Sequence, residues 1–167
     1  YNDPTIFLEY AIDTAVECRK LGVHPVAVTN GYIHGEARVD LYAAMDAANI
    51  DLKGFTDDFY RKVCGAKLQP VLDAIRLYKE LGIWIEITTL VIPGHNDSDE
   101  VLGKIAAFVR SVGEDVPWHV SRFHPTYKLM DKPRTPIETL RRARQIGLDA
   151  GLRYVYEGNI PGEGEET

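Results

Sequence analysis

A chain of 167 residues, 45% hydrophobic and 26% charged, can bury one sizeable core and is too apolar for disorder. No apolar run approaches the ~20 residues of a membrane-crossing helix, and a net charge of −6 argues against a dedicated nucleic-acid binder, which needs a basic face. Two cysteines cannot build a disulfide scaffold, a Cys-rich zinc site or a cysteinyl iron–sulfur site.

The chain opens on a loop, Tyr1-Asn2-Asp3-Pro4-Thr5, in which Asp3 or Thr5 can cap a following helix with Pro4 in its first turn. No strand leads into this loop. The sequence therefore reads as the later part of a longer protein, with a complete small domain with processed ends as the alternative. No charged, apolar leader precedes it, which makes a cytoplasmic location the default expectation. Leu8, Ala11, Ala15 and Cys18 keep helical spacing up to Gly22, and a strand is expected over 24–29. A helix over 36–45 and a strand over 47–51 follow, then a helical turn over 57–63. Leu72, Ile75 and Tyr78 mark a helix over 69–81, which leads to a strand over 84–92. Ser98 caps a helix over 98–112 that aligns Val101, Ile105, Phe108 and Val112. A strand over 118–123, a helix over 136–150 ending at Gly151, and a strand over 153–157 complete the pattern. The strands look apolar and not strictly alternating, as in a buried parallel sheet. Strand and helix alternate without a linker, so one α/β domain over 1–160 is expected, followed by a flexible polar tail over 161–167.

Each strand ends in polar or turn residues: Thr29-Asn30-Gly31, Asp51-Leu52-Lys53, Pro93-Gly94-His95-Asn96-Asp97, Arg122 with His124-Pro125, and Glu157-Gly158-Asn159. In a parallel α/β fold these ends share one edge, where ligands bind. Asp51 and Lys53, two apart, fall on one side of an extended chain. Such a pair can hold a zwitterion, the lysine meeting a carboxylate and the aspartate an amine or hydroxyl; a local ion pair is the plainer reading. His124 precedes Pro125 and is biased toward an extended conformation. His119 and His124, five apart, face opposite sides of one strand, which disfavours a shared metal. His24 begins a strand at the far end and reads as structural; His34 and His95 carry no assigned role. Cys18 and Cys64 read as packing residues.

Val28-Thr29-Asn30-Gly31-Tyr32, Asn49-Ile50-Asp51-Leu52-Lys53, Val91-Ile92-Pro93-Gly94-His95-Asn96-Asp97 and Arg122-Phe123-His124-Pro125, in that order, resemble radical S-adenosylmethionine (SAM) enzymes of the pyruvate formate-lyase activating type. The chain looks closest to the AmmeMemoRadiSam system radical SAM branch, echoed also in Tyr1-Asn2-Asp3-Pro4-Thr5, in Trp118-His119-Val120-Ser121 and in Gly151-Leu152-Arg153-Tyr154-Val155-Tyr156. The likeness covers nearly the whole chain.

The resemblance implies a parallel (β/α)6 partial barrel whose first β/α unit is missing here, leaving about five strands. It implies a [4Fe–4S] cluster on a Cys-x3-Cys-x2-Cys motif and SAM chelated to its open iron. Reductive cleavage of SAM then gives a 5′-deoxyadenosyl radical that abstracts hydrogen from a substrate, a protein glycine in the activating enzymes. An electron donor such as flavodoxin or ferredoxin is implied too. Carried over by position, Asp3 stands where a Glu usually meets the SAM amine. Thr29 and Asn30 line the SAM pocket. Asp51 and Lys53 match the pair near the SAM carboxylate and ribose, and His124 the histidine near the adenosine. Val28 replaces a common cation-holding Asp, and Thr88 stands near a common Arg. The cysteine motif is absent, so the chain alone is expected to be inactive. Two other classes compete: a barrel lyase or aldolase forming a Schiff base through Lys53, and a non-catalytic partner-binding domain.

Overall fold

The computed structural model describes residues 2–160; the predicted tail over 161–167 lies outside them. Asp3 caps a 3-10 turn, Pro4–Phe7, which runs into helix α1, Leu8–Lys20. There follow β1 Val26–Thr29, α2 Gly35–Ala44, β2 Ala47–Asp51 and the short α3 Asp57–Phe59. α3 continues as a π-type turn, Tyr60–Cys64, ending on Gly65 at φ 66°. The rest is α4 Leu68–Glu80, β3 Trp84–Val91, α5 Asp99–Val112, β4 Trp118–Arg122, α6 Ile137–Asp149 and β5 Val155–Gly158. Ser98 caps α5 through its hydroxyl, as expected. A 3-10 turn at Tyr127–Leu129, inside the β4–α6 loop, has no counterpart in the sequence reading.

The five strands form one parallel sheet in the order β1-β2-β3-β4-β5, each next to its chain neighbour. This is the partial barrel the sequence predicts. Helices pack on one face, and the core lies between them and the inward side chains Ala48, Ile50, Ile85, Ile87, Trp118, Val120 and Val155. Burying each such Ile or Val is worth about 1.5–3 kcal/mol. A Cβ on Gly147 of α6 would come within 2.9 Å of the Trp118 ring and Val155, so the missing side chain sets how closely α6 approaches the sheet.

Burial alternates along β1, β2 and β3, in contrast to the two-sided burial expected of apolar parallel strands. The reason is that helices cover one face only. The other is the inner wall of the partial barrel, where Val26, Val28, Trp84 and Leu90 stay exposed despite being apolar. A second correction concerns His24. The first strand starts at Val26, since Pro25 has no N–H for a ladder. His24 sits outside it, with Nδ1 2.6 Å from the carboxylate of Asp46, which Arg19 also pairs. Among the described residues no helix is long and apolar enough to cross a membrane.

Candidate functional site

The C-terminal edge of the sheet collects the polar strand ends. After β1, the Asp3 carboxylate accepts from Thr5 N (3.0 Å), Thr5 Oγ1 (2.6 Å), Thr29 Oγ1 (3.0 and 3.1 Å) and Asn30 N (2.8 Å). Partial burial pushes this carboxyl up, but the hydrogen bonds from Thr5, Asn30 and Thr29 together outweigh it and hold the group below 3.8. A carboxylate offers about four lone-pair sites, so this one is filled from within the chain. Asp3 thus ties the capped turn to the Thr29–Asn30 loop. Asn30 then closes an Asx turn, its Oδ1 accepting from Tyr32 N at 2.7 Å. Gly31 at φ 69° is required here, because a Cβ would lie 2.9 Å from Ile50 Cγ2.

After β2, Lys53 Nζ and the Asp51 carboxylate form a local ion pair, the plainer of the two readings, each about a third exposed. Lys53 N donates to Tyr60 Oη at 3.1 Å, and its carbonyl accepts from Asn96 Nδ2 at 2.6 Å. After β3, Asn96 is buried in the Pro93–Asp97 loop. Its Nδ2 also donates to Leu90 O (2.8 Å) and its Oδ1 accepts from Ile92 N (2.6 Å). After β4, the buried Thr135 locks the base of the loop that follows. Its Oγ1 donates to Val91 O (2.6 Å) and accepts from Phe123 N (2.9 Å), while its carbonyl accepts from Arg122 Nε (2.7 Å).

Beside the ends of β1, β2 and β3 lies a cavity of about 320 Å³. Asn30, Tyr32 and Lys53 give it polar lining; Phe59, Tyr60, Val63, Cys64, Val71, Leu90 and Ile92 line most of the rest. Burial pushes the Cys64 thiol up, away from the thiolate form. The mid-row of the inner wall, one step deeper, is polar across four strands. Thr88 Oγ1 donates to Asn49 Oδ1 at 2.8 Å, and His119 Nε2 lies 2.8 Å from Glu86 Oε2 with its ring stacked on Tyr156.

The structure therefore joins Asp3, Thr29 and Asn30 in one hydrogen-bonded loop, pairs Asp51 with Lys53, and sets Asn30 and Lys53 on one cavity. His124 is half-buried past the end of β4 and does not line that cavity. Val28 faces the inner wall, 42% exposed. Lys53 Nζ, the atom a Schiff base would use, is paired with the Asp51 carboxylate. Sequence reasoning missed Tyr60, Asn96 and Thr135 and the Glu86–His119 pair. For Asn96 a signal existed, an Asn in a strand-end loop that carries chemistry; for the rest only the fold supplies one.

A three-cysteine cluster does not fit these residues. Cys18, on α1, and Cys64, ending the π turn, are the chain's two cysteines, and both are free. Among the described residues no group of three His, Cys, Asp or Glu could hold a metal ion.

Residues 1–105 match the Radical SAM superfamily. The uncharacterised protein MJ0808 of Methanocaldococcus jannaschii is 51% identical over 169 residues, which cover 100% of this chain and 50% of that one. Pyruvate formate-lyase 1-activating enzyme of Escherichia coli (strain K12) is 25% identical over 161 residues, 89% of this chain and 65% of that enzyme. A crystal structure of a domain of pyruvate-formate lyase-activating enzyme from Bacteroides vulgatus ATCC 8482 shares the fold. It gives a TM-score of 0.83 at 21% identity, over 95% of this chain and 96% of that one. The chain thus spans 50% of the M. jannaschii relative's length and 65% of the E. coli enzyme's.

Proposed function

Because the chain belongs to the radical SAM superfamily, we propose that it forms the SAM-binding part of an activating-type radical enzyme. The observation that carries this reading is the convergence of Asn30 and Lys53, distant in sequence, on one cavity at the C-terminal edge of a parallel sheet. The donor set suits a zwitterion with an apolar body. Lys53 offers an ammonium to a carboxylate, Asp51 a carboxylate to an amine or hydroxyl, and Asn30 an amide. The remaining wall is largely apolar. Asp3 and Thr29 act by shaping the loop that carries Asn30; a direct contact from Asp3 to an amine would displace one of the bonds it already accepts. His124 is assigned to the rim beyond β4, toward the adenosine end.

A reduced [4Fe–4S] cluster in the whole protein would give one electron to bound SAM, breaking its carbon–sulfur bond to leave methionine and a radical able to abstract hydrogen. The cluster ligands come, in this reading, from the rest of a longer protein, and the substrate is a protein glycine as in the activating enzymes. A flavodoxin- or ferredoxin-like donor would provide the electron in this reading. This chain's own work is to bind, orient and exclude water.

The test uses the full-length protein, reconstituted anaerobically with iron and sulfide. Lys53→Met is expected to weaken SAM binding about 10-fold or more, the loss of one charge-assisted hydrogen bond. Dithionite and SAM are expected to yield 5′-deoxyadenosine. Unchanged affinity in Lys53→Met overturns the role of Lys53, and absence of 5′-deoxyadenosine overturns the activity.

A further inference from the structure

Lys53 lies beyond the end of β2, where no neighbouring strand satisfies its backbone. Both of its backbone groups are nevertheless bonded, each by a buried side chain from a different element. The N–H reaches Tyr60 Oη on the π turn at 3.1 Å; the carbonyl takes Asn96 Nδ2 from the β3–α5 loop at 2.6 Å. Tyr60 is 2% exposed and Asn96 1%. The residue before is held as well, with Leu52 N donating to Thr88 O at 2.9 Å and Leu52 O accepting from Thr89 Oγ1 at 2.8 Å. Ordinary loops leave such groups to water.

A π turn is wider than an α turn and is frequent at functional sites. Here Gly65 ends it in the left-handed conformation, and the Tyr60 carbonyl accepts from both Gly65 N and Ala66 N, the latter at 3.1 Å. The turn is fixed at both ends, so the Tyr60 hydroxyl is presented to Lys53 rather than to solvent. Asn96 does the same from the opposite side while spanning Leu90 O and Ile92 N.

We propose that Tyr60 and Asn96 are positioning residues that clamp the backbone of Lys53 from both sides and aim its ammonium at the cavity beside Asp51. The clamp rests on the SAM reading for its purpose, though not for its existence. A lysine stem has four rotatable bonds, and anchoring its backbone fixes the point from which the stem swings before any ligand arrives.

The test is a double-mutant cycle in the reconstituted full-length protein, read by equilibrium dialysis of SAM. Tyr60→Phe is the informative variant because it removes one hydroxyl and keeps the packed ring. It is expected to weaken SAM binding about 5-fold with Lys53 present and less than about 2-fold in the Lys53→Met background. A merely structural tyrosine weakens both backgrounds equally; that result, or no effect in either, overturns the proposal. A second readout needs no SAM. Amide hydrogen exchange at Lys53 is expected to speed up about 10-fold in Tyr60→Phe, and unchanged exchange overturns the clamp. If Lys53→Met leaves SAM binding intact, the SAM role of Lys53 fails, and exchange alone decides whether the clamp exists.

Discussion

Replacing Asn96 tests how the strand ends are held together. Its side chain makes three hydrogen bonds, to Ile92 N, Leu90 O and Lys53 O, from a position 1% exposed. Asn96→Ala removes the side-chain partner of all three backbone groups. An unmet buried group costs about 1–3 kcal/mol, and water reaching the half-buried Lys53 carbonyl recovers part of it, so about 3 kcal/mol is expected. With a urea slope near ~2 kcal/mol/M, the midpoint falls by roughly 1.5 M. Asn96→Asp sharpens the test, because it keeps the acceptor for Ile92 N but turns the second oxygen toward two carbonyls. Only a protonated carboxyl can donate there, so the folded state raises its pKa above the unfolded value of about 3.9. A raised folded pKa contributes stability that is present below the unfolded pKa and lost as pH rises through the folded one. The gap between wild type and Asn96→Asp should therefore widen from pH 4 to pH 8. The assay is urea unfolding followed by circular dichroism at each pH. A gap independent of pH, or a cost below about 1 kcal/mol for Asn96→Ala, refutes the bridging role.

Two further outcomes follow from the β1 end. Asp3 is held below its ordinary carboxyl value by bonds from Thr5, Asn30 and Thr29, so its contribution is present above the unfolded pKa and lost as pH falls through the folded one. Asp3→Asn should cost about 1–2 kcal/mol at neutral pH and flatten the acid limb of the stability curve; parallel limbs for the two proteins in thermal melts from pH 2 to 6 contradict this. Gly31→Ala places a Cβ at φ 69° and 2.9 Å from Ile50 Cγ2, and should destabilise by about 1–3 kcal/mol, with an unchanged melting temperature as the contrary result.

The order of elements was legible because each one carries a local signal. Ser98 stands before an apolar helical stripe, Gly151 closes α6, and Ala47–Asp51 is an apolar run closed by a charge; all three behave as the sequence predicts. The one-sided burial was not legible. Val28 and Leu90 are apolar by composition yet face the open inner wall, and composition does not report what covers a side chain. His24 was misplaced by a similar limit, since its apolar neighbours extended the strand past Pro25 while the ion pair with Asp46 depends on the returning β2.

The site divides in the same way. Asp51 and Lys53 are two residues apart, so strand geometry alone pairs them. Asn30 and Lys53 meet because β1 and β2 are adjacent, with Thr29 in register with Ile50; parallel topology delivers that once the strands are right. Tyr60 and Asn96 belong to neither case. They reach Lys53 from a π turn and from a loop beyond β3, over separations of 7 and 43 residues, and no periodicity links such positions. What selects them is an unmet need, the bare backbone of a residue that has left the sheet. That need arises only once β2 is known to stop at Asp51. Residues proposed to meet a ligand can be read from their type and place at a strand end. The residues that hold them still can be read only from the hydrogen bonds the fold leaves open.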